Sequence, residues 1–241
     1  MSKSIQFTTH KDYLKIKEDY PEPIKLNIPD WFKDIEHKQK LKTVKGCIPF
    51  LETLTTGYVL KIPLDIDVRF NYKNKNGERV TEFTVNDNLY NFNLNSNKIH
   101  EYHPTDQFKN SPIEKNNLNY PVYKIMNPWI IKTPPGYSCL FVSPLNNGDD
   151  RFSIIPGIVH TDKFKDYINF PITINSDKHP SFNSVIKRGT PYVQIIPFKR
   201  ESWKMNIDVI NEKERDMYLI DYWRGVLRIY QNKIWDKISW K

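Results

Sequence analysis

The chain has 241 residues, of which 39% are hydrophobic and 14% aromatic, so it has enough apolar side chains to bury a substantial core. Its net charge is +8, but the lysines are spread evenly and no arginine-rich or basic–aromatic run occurs, so we do not expect nucleic-acid binding. No apolar run is long enough to cross a bilayer and residues 1–15 have no apolar signal core, which predicts an intracellular protein without a membrane partner.

Two cysteines, Cys47 and Cys139, lie far apart and lack the spacing of a metal site or a redox motif. The pattern predicts two buried free thiols. Residues 1–45 are predicted to form an N-terminal arm with a short helix. Asp30 is a suitable N-cap for a helix over residues 31–40, whose first aromatic residues would hold the arm against the main body.

Residues 46–200 are predicted to form a β-rich core. Tyr58–Ile62 has the composition of a strand, and Ile66–Tyr72 alternates apolar and polar residues as a half-buried strand does. Asn76-Gly77 is a strong hairpin signal, and Arg79–Val85 alternates again as the returning strand.

The asparagine-rich stretch 86–119 is interpreted as loop and turn with one strand at most. It contains His100 and His103, with Glu101 between them. On a helix these side chains could ligate a metal. Because Pro104 follows and no helical pattern surrounds them, a surface loop is the preferred interpretation.

The stretch 127–200 carries short β-branched runs separated by Pro, Gly and Asn, which is typical of a β-sandwich or barrel. The runs are Trp129–Ile131, Ser138–Val142, Ile154–Ile155, Ile158–Val159, Tyr167–Ile174, Val185–Ile186 and Tyr192–Ile196.

Three motifs in this stretch occur in an informative order: Pro134–Tyr137 (PPGY), Gly157–Asp162 (GIVHTD) and Lys187–Ile196 (KRGTPYVQII). Together they resemble the dUTPase and dCTP deaminase superfamily over residues 127–200. The resemblance implies a mainly β fold with a dUTPase-like β-clip or barrel core, and homotrimers are common among such folds.

The chain also resembles uncharacterised proteins of marine bacteriophages. That resemblance rests on Ile28–Phe32, Cys47–Phe50 and Thr56–Tyr58. It implies a location in the host cytoplasm or in the virion.

The chain departs from the dUTPase motifs at the residues that carry the reaction. His160 occupies the position of the aspartate that activates water in a dUTPase. Pro144–Asn146 stands near the Arg-Ser-Gly phosphate cradle and offers no charged donor to a phosphate. Gly225 is the only glycine after Gly189, so the glycine-rich tail is also missing. The resemblance therefore implies the fold without the hydrolysis of dUTP.

A ligand pocket inherited from such a fold would include five residues. The candidates are His160, Asp162, Phe164, Tyr167 and Gln194. In dUTPases an aromatic residue after the hairpin aspartate stacks on the sugar, a role that Phe164 or Tyr167 could fill. No catalytic residue is assigned.

His160 and Asp162 also form an H-x-D pair, as in the facial triad of Fe(II)/2-oxoglutarate oxygenases. His179 would be the third ligand, and Arg188 could bind a carboxylate. The spacing of about twenty residues between the two histidines is short for those enzymes. We therefore expect no metal and no cofactor, and a β-hairpin tip at His160 is the simpler interpretation.

Residues 201–241 are predicted to form a C-terminal amphipathic helix. Its apolar stripe has the spacing of one helix face, and Asn211 is a suitable N-cap. The helix would either pack on the β core or join the chain to a protein partner, including another copy of itself. The stripe consists of Ile220, Trp223, Leu227, Tyr230 and Ile234.

The sequence thus favours a non-catalytic phage protein with a dUTPase-like fold that acts in assembly or protein interaction, a structural or virion-type role. One alternative is a nucleotide-binding protein, or a nucleotide hydrolase with a rearranged β-clip pocket. The other is a metal-dependent oxygenase that uses the H-x-D pair.

Overall fold

The computed structural model describes residues 3–38, 43–85, 100–223 and 230–241. These residues form fourteen strands in four antiparallel sheets, which confirms the prediction of a mainly β fold. The strands are β1 (Gln6–Thr8), β2 (Glu22–Pro23), β3 (Tyr58–Lys61), β4 (Ile66–Lys73), β5 (Arg79–Val85), β6 (His100–His103), β7 (Val122–Ile125), β8 (Ile130–Lys132), β9 (Tyr137–Val142), β10 (Phe152–Ile154), β11 (Gly157–Val159), β12 (Phe170–Ile174), β13 (Phe182–Ile186) and β14 (Pro191–Lys199).

The helices are short and lie between the strands or after the last one. They are α1 (Asp30–Asp34), α2 (Ile48–Thr55), α3 (Pro112–Asn116) and α4 (Glu212–Trp223), followed by a π-helical turn over Tyr230–Ile234. Single 3-10 turns cover Tyr13–Lys15, Lys17–Asp19, Ile24–Asn27, Val44–Gly46 and Thr105–Phe108. Among the described residues, no helix has the length and apolar character to cross a bilayer.

The largest sheet has five strands in the order β11-β9-β14-β3-β2. β9 lies between β11 and β14, with Phe141 opposite both Gly157 and Ile195. The three sequence motifs therefore meet on neighbouring strands. The remaining sheets have the orders β10-β12-β7-β6, β13-β4-β5 and β1-β8.

The predicted hairpin over residues 66–85 is confirmed. β4 pairs with β5, and Gly77 takes the left-handed backbone conformation that this turn requires, with φ of +83°. Ile66, Val68 and Phe70 alternate inward along β4 and are buried. They join one continuous core with side chains from the other sheets.

The N-terminal residues add strands to the sheets instead of only lying over them, because β1 pairs with β8 and β2 with β3. The predicted helix over 31–40 is shorter than expected. It ends at Asp34, and Pro29 occupies the N-cap position while Asp30 lies in the first turn without a capping hydrogen bond. Residues 39–42 lie outside the described part of the chain.

Helix α2 was not predicted. Pro49 lies in its first turn, where a missing N–H costs nothing because no partner exists there. Leu54 is buried and Phe50 stacks on Phe32 at 6.0 Å between ring centroids, so α2 and α1 pack together. The carbonyls of Thr53 and Thr56, at the end of α2, accept hydrogen bonds from Gln194 in the group described below.

Two further expectations were wrong. Cys47 is exposed at the start of α2, and only Cys139 is buried. His100–His103 forms a strand paired with β7 instead of a surface loop.

Candidate functional site

The five predicted pocket residues do not form one site. Asp162 contacts Arg200, which directly follows β14, whereas Gln194 lies within β14 six residues earlier. At about 3.3 Å per residue, Gln194 and Arg200 are roughly 20 Å apart along the strand. Each belongs to its own network of hydrogen bonds.

Asp162 joins the end of β14 to the turn before β9. Arg200 donates from Nη1 to Oδ1 at 2.8 Å and from Nη2 to Oδ2 at 2.5 Å, a two-point ion pair. The Gly136 backbone N–H donates to Oδ2 at 2.9 Å. Arg200 Nη1 also donates to the Tyr137 carbonyl and the Ser138 hydroxyl. We call this group the Asp162–Arg200 clamp.

The clamp fixes the charge of Asp162. The Arg200 guanidinium, and to a smaller extent the Gly136 N–H, hold the pKa of this carboxyl far below its ordinary value although burial opposes them. The side chain of Asp162 is only 5% exposed. A carboxylate in this setting is a poor general base, since its affinity for a proton is low.

Gln194 is fully buried and its amide is occupied by the protein itself. Its Oε1 accepts from the Leu145 N–H at 2.8 Å, while its Nε2 donates to the carbonyls of Thr53 and Thr56 at 3.1 and 2.8 Å. The side chain therefore fastens the turn after β9 to the end of α2. We call this group the Gln194 bridge.

The turn at Pro144–Asn146 is held from within the chain. Leu145 gives its N–H to Gln194, and Asn146 donates from its amide to the Thr53 hydroxyl at 2.8 Å. Asn147 donates to the Asn27 carbonyl at 2.8 Å. Polar groups of this turn are thus bound to β14, α2 and the N-terminal region.

His160, Phe164 and Tyr167 follow β11 on a turn. The expected hairpin is absent there, because β11 pairs with β9 whereas β12 pairs with β10 and β7 in another sheet. The His160 carbonyl accepts the N–H groups of Lys163 and Phe164, which closes the turn. His160 and Phe164 are exposed and Tyr167 is half-buried.

The third candidate ligand of the hypothetical metal triad lies beside a different carboxylate. His179 lies 3.3 Å from Asp150 through Nε2 and packs edge-on against Phe182. Arg188 binds the buried carboxylate of Asp19, with two donors at 3.0 and 3.1 Å. Within the described ranges, no three His, Cys, Asp or Glu side chains are grouped to hold a metal ion.

After Arg200, the chain is no longer packed against the β-sheets. Every residue from 201 to 217 is exposed. Trp203, Met205, Ile207 and Val209 are 89, 81, 87 and 89% exposed, and they alternate with Lys204, Asn206 and Asp208. We call residues 203–209 the C-terminal strip.

Helix α4 follows the strip, and its first turn is capped as predicted. The Glu214 N–H donates to Asn211 Oδ1 at 3.4 Å. The helix is described from Glu212 to Trp223, and Leu227 of the predicted stripe lies outside the described residues. Tyr230 and Ile234 at the far end of the stripe are 42 and 44% exposed.

The end of the chain returns to the body. Trp235 donates from Nε1 to Glu52 of α2 at 2.7 Å. Tyr58 of β3 packs edge-on against Trp240 and donates its hydroxyl to the Lys241 carbonyl at 3.0 Å. The segment between Arg200 and Trp235 is therefore anchored to the body at both ends.

Arg200 and Thr53 were missed at the sequence level. Arg200 is 38 residues from Asp162 and follows a strand, where a lone cation has no distinguishing pattern. Thr53 acts through a carbonyl and a hydroxyl on a helix that was not predicted. The exposed strip, by contrast, has a visible signal: apolar residues at every second position after the last strand.

No family model matches the chain, and no curated protein matches it. Among solved structures, a native EIAV dUTPase is similar to it over 85% of this chain and 100% of that chain, at 11% identity and a TM-score of 0.36. The similarity to that structure is a distant one.

Proposed function

We propose that this chain is a non-catalytic assembly protein of the virion type that associates with other copies of itself through its C-terminal segment. The observation that carries the proposal is the C-terminal strip, where four large apolar side chains stand in solvent at more than 80% exposure. Contiguous exposed apolar groups of this kind are typical of interaction sites.

The strip offers enough apolar surface to drive association. Covering four such side chains would contribute roughly 6–12 kcal/mol per strip, at about 1.5–3 kcal/mol each. Association costs roughly 4–15 kcal/mol in lost freedom of motion. In a dimer, two covered strips would contribute roughly 12–24 kcal/mol against one such cost, and in a trimer three strips would contribute against two such costs.

The Asp162–Arg200 clamp and the Gln194 bridge support the non-catalytic part of the proposal. Asp162 is neutralised by Arg200, and the amide of Gln194 binds the protein's own backbone. Two of the five candidate pocket residues are thus devoted to holding strands and turns together. Groups that are already paired in this way contribute little to binding a nucleotide.

The test is the mass of the purified chain in solution, measured by light scattering across a range of concentrations. We expect a multiple of the 28.8 kDa chain mass, and the multiple decides between a dimer and the predicted homotrimer. The double variant Trp203→Ser/Val209→Ser should shift the population toward single copies. The matched control is Lys204→Ser/Asp208→Ser at two polar positions of the strip, which should keep the parent mass.

A single-copy mass at all concentrations would contradict the proposal.

The nucleotide-binding alternative is tested by thermal denaturation. A deoxynucleotide with Mg²⁺ that raises the melting temperature, with the rise abolished by His160→Ala, would favour a ligand pocket around the exposed His160 and Phe164.

A further inference from the structure

We propose that Asn76 is a site of spontaneous chemical modification, at which the chain converts its own side-chain amide into a carboxylate. The inference goes beyond the proposed self-association and does not depend on it. It rests on a comparison of the two Asn-Gly pairs in the sequence, Asn76-Gly77 and Asn147-Gly148. The first pair lies at the tip of the β4–β5 hairpin, and the second lies in the turn after β9.

An Asn-Gly pair can react with itself because the backbone nitrogen of the glycine lies within reach of the asparagine side chain. This nitrogen attacks Cγ of the asparagine, and the new N–Cγ bond closes a succinimide ring. The Cγ–Nδ2 bond breaks, and ammonia leaves with the proton that the backbone nitrogen gives up. Water then opens the ring to give aspartate or its isomer isoaspartate. Glycine favours the attack because it has no Cβ to hinder the approach.

The setting of Asn76 leaves both reacting groups accessible. Asn76 and Gly77 are exposed. The backbone N–H of Asn76 donates to Asn74 Oδ1 at 3.0 Å, whereas its side-chain amide makes no hydrogen bond within the described part of the chain. Apart from the chain neighbours of Gly77, no atom lies within 4 Å of where a Cβ would stand on it. The side chain of Asn76 is therefore free to turn toward the backbone.

The hairpin turn holds the attacking nitrogen by its own hydrogen bonds. The Gly77 N–H donates to the Asn74 carbonyl at 3.0 Å, and Asn74 Oδ1 also accepts the Glu78 N–H at 3.0 Å. Hydrogen bonds at an exposed turn open locally at a much lower free energy than the core does. Asn74 is thus a positioning residue, because its hold on the turn determines how often the Gly77 nitrogen reaches Cγ.

The second pair has the same chemistry but is held by distant parts of the chain. Asn147 is half-buried, and its Nδ2 donates to the Asn27 carbonyl at 2.8 Å. The same turn is fastened by the Gln194 bridge and by the hydrogen bond from Asn146 to α2. The Asn147 side chain must leave its partner before it can reach the backbone, which requires a larger local opening. We therefore expect the fold to protect Asn147 and to leave Asn76 reactive.

Conversion at Asn76 changes both the charge and the backbone of the hairpin tip. It places a carboxylate two residues from Glu78 and lowers the net charge of the chain from +8 by one unit. Isoaspartate also adds a carbon to the main chain in a turn that is matched to the pairing of β4 with β5. The chemical state of residue 76 would thus record the age of each copy.

The experiment follows both pairs in the full chain by peptide mapping with mass spectrometry. Native protein and protein unfolded in urea are incubated in mildly alkaline buffer, and the amide-to-acid conversion is measured over time. In urea we expect similar rates at both asparagines. In the native protein, conversion at Asn147 should be slower than at Asn76 by about tenfold or more, because its opening costs more free energy. The matched control, Asn147→Gln, should leave the native rate at Asn76 unchanged.

A variant of the positioning residue tests the role of the turn. Asn74→Ala removes the side-chain acceptor of two backbone N–H groups. We expect conversion at Asn76 to become severalfold faster in the native protein, with no change at Asn147. A residue that served the fold alone would alter stability without this selective change in rate. Circular dichroism confirms that the fold is kept.

The inference is overturned if the native protein converts Asn147 as fast as Asn76. It is also overturned if Asn76 stays intact in the native protein while both pairs convert in urea. An unchanged rate in Asn74→Ala contradicts the control of the reaction by the turn. Selective conversion of native Asn76, accelerated by Asn74→Ala, supports it. None of these outcomes bears on the mass of the protein in solution, so failure here is distinct from failure of the proposed self-association.

Discussion

Asp162 shows how a residue suggested for ligand binding serves a structural purpose. Its carboxylate ties the turn at Gly136 to the end of β14 through Arg200. From the sequence, Asp162 was a candidate ligand residue because of its place after the Gly157–Val159 motif. The structure shows that its carboxylate is paired with Arg200. The partner is 38 residues further along the chain, with β12, β13 and β14 between the two, so local sequence could not reveal it.

The clamp makes the stability of the protein depend on pH in the acid range. Because the folded-state pKa of Asp162 is depressed, its contribution is fully present above the ordinary pKa of about 4 and is lost as the pH falls below it. Asp162→Asn removes the contribution, since an amide N–H would face the Arg200 guanidinium. We expect a melting temperature several degrees lower at pH 7, and a difference from the parent protein that narrows below about pH 4.

Thermal denaturation monitored by circular dichroism between pH 3 and 7 checks this expectation. Asp177→Asn, at an exposed position, is the matched control and should follow the parent protein throughout. An Asp162→Asn protein as stable as the control at neutral pH would show that the clamp does not stabilise the fold.

At the scale of elements, the strands were predictable and the short helices were not. The alternation in Ile66–Tyr72, together with Asn76-Gly77, specifies a hairpin locally. Helix α2 has eight residues, and burial against Phe32 stabilises it more than local propensity does. The helix predicted over 31–40 ends at Asp34, and its predicted cap, Asp30, makes no capping hydrogen bond.

The Gln194 bridge joins three of these elements and gives a test of its structural role. Gln194→Met keeps the volume but leaves the Leu145 N–H and two α2-end carbonyls without their partner. We expect a loss of about 2–4 kcal/mol in the free energy of unfolding, from buried groups left unpaired. Urea denaturation measures it.

Gln6→Met is the matched control, because Gln6 is exposed and the same change there should fall within about 0.5 kcal/mol of the parent protein. A Gln194→Met protein with parental stability, but with a lost thermal response to a nucleotide, would instead identify Gln194 as a ligand residue.

For the whole molecule, the sequence indicated a mainly β body and a distinct C-terminal part. The motif order Pro134–Tyr137, Gly157–Asp162 and Lys187–Ile196 correctly placed three strands that turn out to be neighbours. It could not indicate that residues 1–45 supply strands to two sheets, since such pairing depends on distant partners: β1 pairs with β8, more than a hundred residues away, and β2 pairs with β3.

The two cysteines report on the integrity of this body. Cys47 is exposed, whereas Cys139 is inside the core, where burial raises the pKa of its thiol to about 11. A thiol reagent at pH 8 should therefore modify one cysteine rapidly in the native protein and two after denaturation.

Cys47→Ser should leave no rapidly reacting thiol in the native state. Two equally fast thiols in the native parent protein would contradict the closed core around β9, since Cys139 on that strand is fully buried.

The anchoring of the C-terminal segment at both ends bears on how a single copy would respond to a protease. Trypsin cleaves after lysine and arginine, and Lys204 stands in the exposed strip between the clamp and the returning end of the chain. A nick there leaves the piece after it attached to the body, because Trp235 and Trp240 hold it to Glu52 and Tyr58. Digestion would thus cut the covalent chain before it separates the parts, and neighbours that cover the strip would shield that bond.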